Sequence, residues 1–542
     1  MNPNIAARLA ERAGMHPERA AIVEGSGTSA RRLTFGGLDA RVRALAAGLA
    51  ARGIGPGDAV LLFVPMSADL YVALLACLHR GATAVFVDAW ADRRRLDAAV
   101  RIANPKGFIG TPKAHLLRLI SPAVRRIPVA LSAGRRLLPL TRYEVNGAAG
   151  DAVAVDGAAP ALVTFTTGST GTPKAAARSH DFLWAQHRAL TGHLRPVESD
   201  IDMPTLPVFV LNNLASGITS VLPAFDPRRP ADIDPARIHA QMLAERVTTS
   251  SGSPSFYDRL GRWCVDAGKR IPLRQLFTGG APVLVPLARV LDAVVDGDPH
   301  VVYGSSEAEP IAGIGARDML ATATASRDHA DHPGGLCVGR PVPQIAVKLL
   351  RPHDGPVVLD AGGWAAWEVG PGEVGEVAVA GGHVLPGYLN DPEAERQNKV
   401  RDDARVWHRT GDAAWMDADG RLWLMGRVKE RVRRAVRVWW GGAAEARVVG
   451  MPGLAGVMHA AYIGVPDARL GQRAVLCVET RTGSLSDEER QAIIRALTPF
   501  PADEVVPLRR IPRDPRHASK TDVGALREML AASTGSRPGL IS

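Results

Sequence analysis

The stretch TFTTGSTGTPK, Thr164 to Lys174, sets threonines, a serine and two glycines behind the apolar run 161–163 and ends on proline and lysine. Glycines let backbone N–H groups approach anionic oxygens and hydroxyls add further donors, so such a loop after a strand suits phosphate. The Walker A spacing, Gly-x4-Gly-Lys-Ser/Thr, is not satisfied, because Lys174 follows Pro173. An ordinary surface turn could share this composition, so the loop is weighed with its companions. These are VYGSSEAEP (Val302 to Pro310), HRTGDAAW (His408 to Trp415), MGRVKE (Met425 to Glu430) and DPRHASK (Asp514 to Lys520). Taken singly, Glu307 is a solvated carboxylate, TGD a turn or helix start, and Lys520 a surface lysine. The chain, however, has 8 lysines against 57 arginines. Where such a chain carries lysine, a compact point charge is favoured over the planar guanidinium.

The elements that must position these residues follow from periodicity. From Ala59 the chain reads as strand AVLLFVP, helix ADLYVALLACLHR and strand AVFVD, with Gly81 at the turn, a βαβ unit and hence a parallel sheet covered by helices. Similar alternation around TSVLPAF, ARIHAQMLAE and LFTGGAP extends the pattern over the first two thirds. From about Gly334 to Trp423, EVGEVAVAG and GRLWLMG are short alternating runs suited to antiparallel strands. A compact tail follows, with strand AVLCVET, helix DEERQAIIRAL and a final amphipathic segment; the closing STGSRPGLIS is expected to be disordered. The expected organisation is a large domain over 1–428 and a small one over 429–542.

Composition narrows the class. At 542 residues and 46% hydrophobic, the chain can bury a large core. Four cysteines, Cys77, Cys264, Cys337 and Cys477, stand far apart, against a disulfide framework or structural zinc, and a reducing cytoplasm fits best. The start reads as an amphipathic helix with Ile5 and Leu9 on one face, not as a signal peptide, and no run approaches a membrane span. The net charge of +10 is almost all arginine and lacks interleaved aromatic residues, so no nucleic-acid partner is expected.

The order and spacing of the five motifs resemble the adenylate-forming (ANL) superfamily of acyl-CoA synthetases, peptide-synthetase adenylation domains and luciferases, over nearly the whole chain. The resemblance implies an α/β fold with a large multi-subdomain N-terminal domain, a small mobile C-terminal α+β domain, and carboxylate activation by ATP with Mg²⁺. It implies that Thr166, Thr167, Gly168, Ser169, Thr170, Gly171 and Lys174 cradle the β- and γ-phosphates. Gly279, Gly280 and Ala281 would form the adenine-side turn, and Tyr303 would stack on the base beside Gly304, Ser305 and Ser306. Glu307 would ligate Mg²⁺, Asp412 would take the ribose hydroxyls, and Arg427 would add a ribose or phosphate contact. Lys429 would be the hinge, and Lys520 would bridge the substrate carboxylate and the α-phosphate.

The second nucleophile decides the product. Acyl-CoA synthetases carry a glycine and a V-x-P-x-E turn after the hinge, whereas this chain reads RVRRAVRVWWGGAAEARV, with no proline before Glu445. The stretch from Met203 to Ile238, with GSPSFYDRL, TGGAPV and RHASK, resembles the olefin β-lactone synthetases of bacterial hydrocarbon pathways. That resemblance implies a 3-hydroxy fatty acid whose own hydroxyl attacks the activated carbonyl, and a place in a multi-enzyme assembly for hydrocarbon synthesis. Leu211, Asn212 and Asn213 stand where those sequences are more acidic. Phe209, Leu214 and Ala215 are candidate acyl-pocket residues, with ordinary core packing the alternative, and His180 and His517 are proton acceptors by chemistry alone, with a hydrogen-bonded structural histidine the alternative for either. A fatty acyl-CoA synthetase and a non-catalytic adenylate-binding scaffold remain the alternatives.

Overall fold

The computed structural model describes residues 2–534 except 88–92, 135–148, 168–172, 227–231, 329–333, 435–436, 452, 455 and 515–519. The expected βαβ unit is present. Strand Ala59–Phe63 leads into helix Ala68–His79 and returns as Thr83–Phe86, paired parallel with Ala59 opposite Thr83. Ser67 caps the helix, its hydroxyl accepting the Leu70 N–H at 3.4 Å. Gly81, at φ 69°, turns the chain back in a conformation that other residues rarely adopt. Every residue of this helix except Asp69 is buried, and its leucines each contribute about 1.5–3 kcal/mol by leaving water.

The unit belongs to a six-stranded sheet, parallel except for the closing hairpin Pro160–Thr167 and Pro173–Ser179. A second, 14-stranded sheet continues from a mainly parallel half into an antiparallel half. The parallel half includes Ile201–Pro204, Thr219–Leu222, Thr249–Gly252, Gln275–Gly279 and Asp298–Ser305. The antiparallel half includes Gly375–Ala380, Val406–Met416 and Leu422–Arg427, as the short alternating runs predicted. Helix Pro235–Ala244 covers the former; the N-terminal helix Ala7–Met15 packs with Ile5 and Leu9 both buried.

The tail has its own sheet, Val457–Asp467, Gly471–Thr480 and Glu504–Leu508, beside helix Asp487–Leu497, which a Ser486–Glu489 capping box starts. Helix Gly441–Val448 faces two cores: Ala443 packs with Cys337, Trp423 and Met425, while Ala444 and Val448 pack with Tyr462 and Leu476. All four cysteines are free and buried. Among the described residues no helix is long and apolar enough to cross a membrane. Most of the closing stretch expected to be disordered, 535–542, lies outside the described residues.

Candidate functional site

The hairpin that ends the six-stranded sheet carries the phosphate-type loop. Thr166 pairs with Lys174 and Thr167 with Pro173, so residues 168–172 form the connection between the two strands. Gly168, Ser169, Thr170 and Gly171 lie outside the described residues; Thr166 and Thr167 are placed by their backbone. Lys174, at the root of the connection, has its Nζ 5.4 Å from the centre of the Tyr388 ring. Burial pushes its ammonium below the ordinary lysine range, with Glu307 opposing the shift and Lys429 adding to it. The hairpin is tied to the second sheet by buried Arg178, which donates to Thr164 Oγ1 at 2.8 Å and to the Ser306 carbonyl at 2.6 Å.

Glu307 sits in the tight turn between strands Asp298–Ser305 and Ala308–Gly315. Its N–H donates to Ser305 Oγ at 3.2 Å, its carbonyl accepts from the Leu385 N–H at 2.7 Å, and its Oε1 accepts from the Tyr388 hydroxyl at 3.2 Å. Lys174, Glu307 and Tyr388 are therefore one cluster. Nearby Glu309 is raised by burial to about 7, with Arg178 opposing.

A second group lies alongside. Tyr303 is buried, and its hydroxyl donates to Asp412 Oδ2 at 2.8 Å. Antiparallel pairing puts Asp412 opposite Arg427, whose Nη1 donates to Asp412 Oδ1 at 2.7 Å and to the Thr410 carbonyl at 3.2 Å. The Asp412 carboxylate in turn raises the Arg427 guanidinium above its ordinary value. Gly411, at φ 73°, makes the bend before Asp412, and a Cβ there would stand 3.1 Å from Arg427 Nη2. A buried ion pair anchors the strand: Arg409 donates from Nε and Nη2 to Glu376 Oε2 at 3.0 and 2.6 Å. On the neighbouring side, Gly280 has φ 83°, and a Cβ on Gly279 would meet the Val302 carbonyl at 2.3 Å, so only glycine allows strand Gln275–Gly279 to run this close. Ala281 follows it, and Gly304, Ser305 and Ser306 lead from Tyr303 to Glu307.

Lys399, not anticipated from the sequence, is buried in the first cluster. Its Nζ donates to the Leu385 carbonyl and stands 5.2 Å from the Tyr388 ring centre. Burial lowers this ammonium to about 7, opposed by Glu307 and Glu395, with Lys174 and Arg401 pushing the same way as burial. His408, buried beside it, is driven far below the usual imidazole range by burial and then by Lys399. Three of eight lysines are thus linked here, Lys429 acting on Lys174 and Lys174 on Lys399. Lysine scarcity was the signal that could have found Lys399.

Other expected residues are placed as follows. Phe209, Leu214 and Ala215 are buried on helix Pro207–Ser216, which Asn213 fixes to the sheet by donating to Asp202 Oδ2 at 2.7 Å. Leu214 packs in a core with Val210, Phe182 and Leu183, and the Ala215 carbonyl accepts from Arg8 and Arg12 at 3.2 and 3.0 Å. His180 is fully buried, its Nδ1 accepts the Ile5 N–H at 3.3 Å, and burial lowers it to about 4. That histidine tethers the N-terminal segment. His517 lies outside the described residues. Lys429 is exposed on the turn Val428–Glu430. Lys520 is exposed on a turn in which its N–H donates to Asp514 Oδ1 at 3.0 Å and its carbonyl accepts from the Asp514 N–H at 2.8 Å. In the altered segment after 429, Trp440 joins the core with Ala443, and Glu445 accepts the Tyr462 N–H at 3.0 Å, its carboxyl raised by burial to about 7.

Two α/β sheets joined at a hydroxyl- and lysine-bearing hairpin, with a small α+β tail, define the fold of adenylate-forming enzymes. Residues 9–389 match the family of AMP-binding enzymes. The chain is 35% identical over 519 residues to the olefin β-lactone synthetase of Stenotrophomonas maltophilia, covering 91% of each chain. It is 35% identical over 502 residues to the olefin β-lactone synthetase of Xanthomonas campestris pv. campestris, covering 89% of this chain and 87% of that one. Among solved structures, ATP-bound MatB from Rhodopseudomonas palustris superposes with a TM-score of 0.77 at 24% identity, covering 98% and 99% of the two chains. The protein belongs to the AMP-binding enzyme family and is an AMP-forming synthetase.

Proposed function

We propose that this protein activates a 3-hydroxy fatty acid with ATP and closes it to a β-lactone, releasing diphosphate and AMP. The observation that carries the reading is 35% identity over 91% of the chain to an olefin β-lactone synthetase, and the changed segment after Lys429 supports it. In the first step a carboxylate oxygen of the acid attacks the α-phosphorus and diphosphate leaves with its bonding electrons. In the second, the 3-hydroxyl oxygen attacks the activated carbonyl carbon, AMP departs as the leaving group, and the hydroxyl proton passes to water. No outside nucleophile enters. Holding both reacting groups on one chain is worth up to roughly 7–11 kcal/mol in favourable cases, less for a strained four-membered ring.

Each residue has a part in this scheme. Lys174 and the loop residues 166–171 take the leaving diphosphate. Tyr303 covers the adenine, and the Asp412 carboxylate, held in place by Tyr303 and Arg427, accepts the ribose hydroxyls. No group of three or more His, Cys, Asp or Glu able to hold a metal occurs among the described residues. A single hard carboxylate beside a phosphate loop suits Mg²⁺, which binds through one or two carboxylates together with phosphate oxygens. Glu307 is that carboxylate, and bound Mg²⁺ would neutralise charge building on the phosphates. Lys399 is a positioning residue: it fixes Leu385 through its carbonyl, while the Leu385 N–H holds the Glu307 carbonyl, and it braces Tyr388 against the Glu307 carboxylate. Residues 1–428 and 429–542 act as two domains hinged at Lys429, whose movement carries Lys520 between carboxylate and α-phosphate. Phe209 lines the acyl side, while Leu214 and Ala215 seat its helix against the core and the N-terminal segment.

The test is incubation with ATP, Mg²⁺ and a racemic 2-alkyl-3-hydroxy acid without CoA. The expected product, by mass spectrometry, is the acid less one water, with AMP formed in equal amount. AMP release that requires CoA, with no lactone at any chain length, would refute the reading.

A further inference from the structure

On the outer side of the six-stranded sheet, the 3-10 turn Ala114–Leu116 and the short helices Leu117–Ile120 and Pro122–Arg125 pack beside helix Arg93–Ala103. Their inward residues, Ala114 and Val124, join the core with Leu96 and Val100. Leu116, Leu119 and Ile120 nevertheless stand 59%, 73% and 57% exposed. Elsewhere among the described residues the exposed large hydrophobics occur singly along the sequence. Here three fall within five positions.

The surroundings of that apolar centre are basic. Between residues 93 and 126 the sequence carries nine lysines and arginines and one acid, Asp97. Asp97 is engaged within the fold: Arg93 Nε lies 3.8 Å from its Oδ2, and Ser121 Oγ donates to its Oδ1. Because Ser121 follows Ile120 directly, Arg93 is brought to the edge of the aliphatic centre. Arg118 Nη2 reaches the Arg125 carbonyl at 3.5 Å, which ties the two short helices together. Arg93, Arg94, Arg95, Lys113, Arg125 and Arg126 are all exposed.

We propose that this face docks the protein onto an anionic lipid surface, with Leu116, Leu119 and Ile120 entering the acyl boundary and the surrounding cations meeting phosphate headgroups. Aliphatic side chains in the boundary with Lys and Arg at headgroup level are the arrangement by which interfacial segments bind anionic lipid. A protein partner fits less well, since the cores of protein interfaces favour aromatic residues and the segment from Lys113 to Arg126 has none apart from buried His115. The purpose of docking, taking a long-chain acid from the bilayer, rests on the proposed lipid substrate. The docking itself does not, and its test requires no turnover.

The full chain, without substrate, is sedimented with vesicles of phosphatidylcholine alone and of phosphatidylcholine with phosphatidylglycerol. The expected result is binding to the anionic vesicles that weakens as salt is raised, and little binding to the neutral ones. Leu116→Ser, Leu119→Ser and Ile120→Ser together should lower the partition coefficient about ten-fold or more. Arg93→Ser, Arg94→Ser, Arg125→Ser and Arg126→Ser together should do the same at low salt. All these side chains are surface groups, so an unchanged melting temperature shows that each variant is folded. No binding to anionic vesicles at low salt, or full binding by the triple variant, overturns the proposal. So does a concentration-dependent dimer that the triple variant loses in the absence of vesicle binding, since the occupant would then be a second copy.

Discussion

Lys399→Met separates the packing of the buried lysine from its charge. Lys399 is lowered by burial from the ordinary lysine value of 10.5 to about 7 in the folded chain, whereas the unfolded chain keeps the ordinary value. Between those values the unfolded chain holds a proton that the folded chain has released, so stability must rise with pH across the window. The limiting slope is about 1.36 kcal/mol per pH unit. Because the folded group is half titrated at the lower end, the gain from about pH 7 to about pH 9 integrates to about 2 kcal/mol. Methionine fills a similar volume and does not titrate, so the variant should lose this gain while melting at least as high as the parent below neutral pH. The assay is urea unfolding of both proteins at the two pH values, compared as a difference so that other titrating groups cancel. Diphosphate exchange is measured alongside: loss of the brace on Leu385 and Tyr388 should raise the Mg²⁺ concentration needed for half-maximal rate, and Lys399→Arg should restore it in part. An identical pH dependence of stability in variant and parent would refute the argument, because it would mean that Lys399 is no more desolvated than a surface lysine.

Four further outcomes follow from the same contacts. Tyr303→Phe deletes the donor to a partly buried carboxylate and should weaken ATP binding by about 1–3 kcal/mol, read by calorimetry, with less effect on the acid. Glu307→Gln should lower exchange by at least about a hundred-fold at fixed Mg²⁺, comparable to losing a preorganised electrostatic group, and added Mg²⁺ should recover little of it. Lys520→Ala should abolish adenylate formation while leaving ATP binding detectable by equilibrium dialysis; unchanged exchange would remove the lysine from the scheme. Glu309, raised by burial to about 7, binds its proton more tightly in the folded chain, so it contributes a loss of stability as pH rises from its ordinary value of 4.5 towards 7. Glu309→Gln should flatten that fall in a melting series.

What could be read in advance depended on whether the information was local. The unit from Ala59 to Phe86 was legible because strand and helix periods are written in consecutive residues, and because Gly81 and Ser67 mark the turn and the cap. The charged motifs were legible because each concentrates chemistry in a few positions. Lys399 carries no such local mark. Its importance comes from the Leu385 carbonyl and the Tyr388 ring, and Tyr388 acquires its own from a carboxylate 81 positions away. Arg178 is similar, since one of its bonds spans 128 positions to Ser306. His180 falls to the structural side of the two readings its chemistry allows: its Nδ1 accepts the Ile5 N–H, and burial lowers the imidazole to about 4. The scarcity of lysine is the exception, a property of the whole sequence that points to single positions. A chain with 57 arginines has ready means to satisfy surface charge, so a lysine in a dry interior marks a position where the compact ammonium is the better fit. Applied to all eight lysines and not only to those inside motifs, that reasoning puts Lys399 among the candidates, and the burial of Lys399 and Val400 in the fold then selects it.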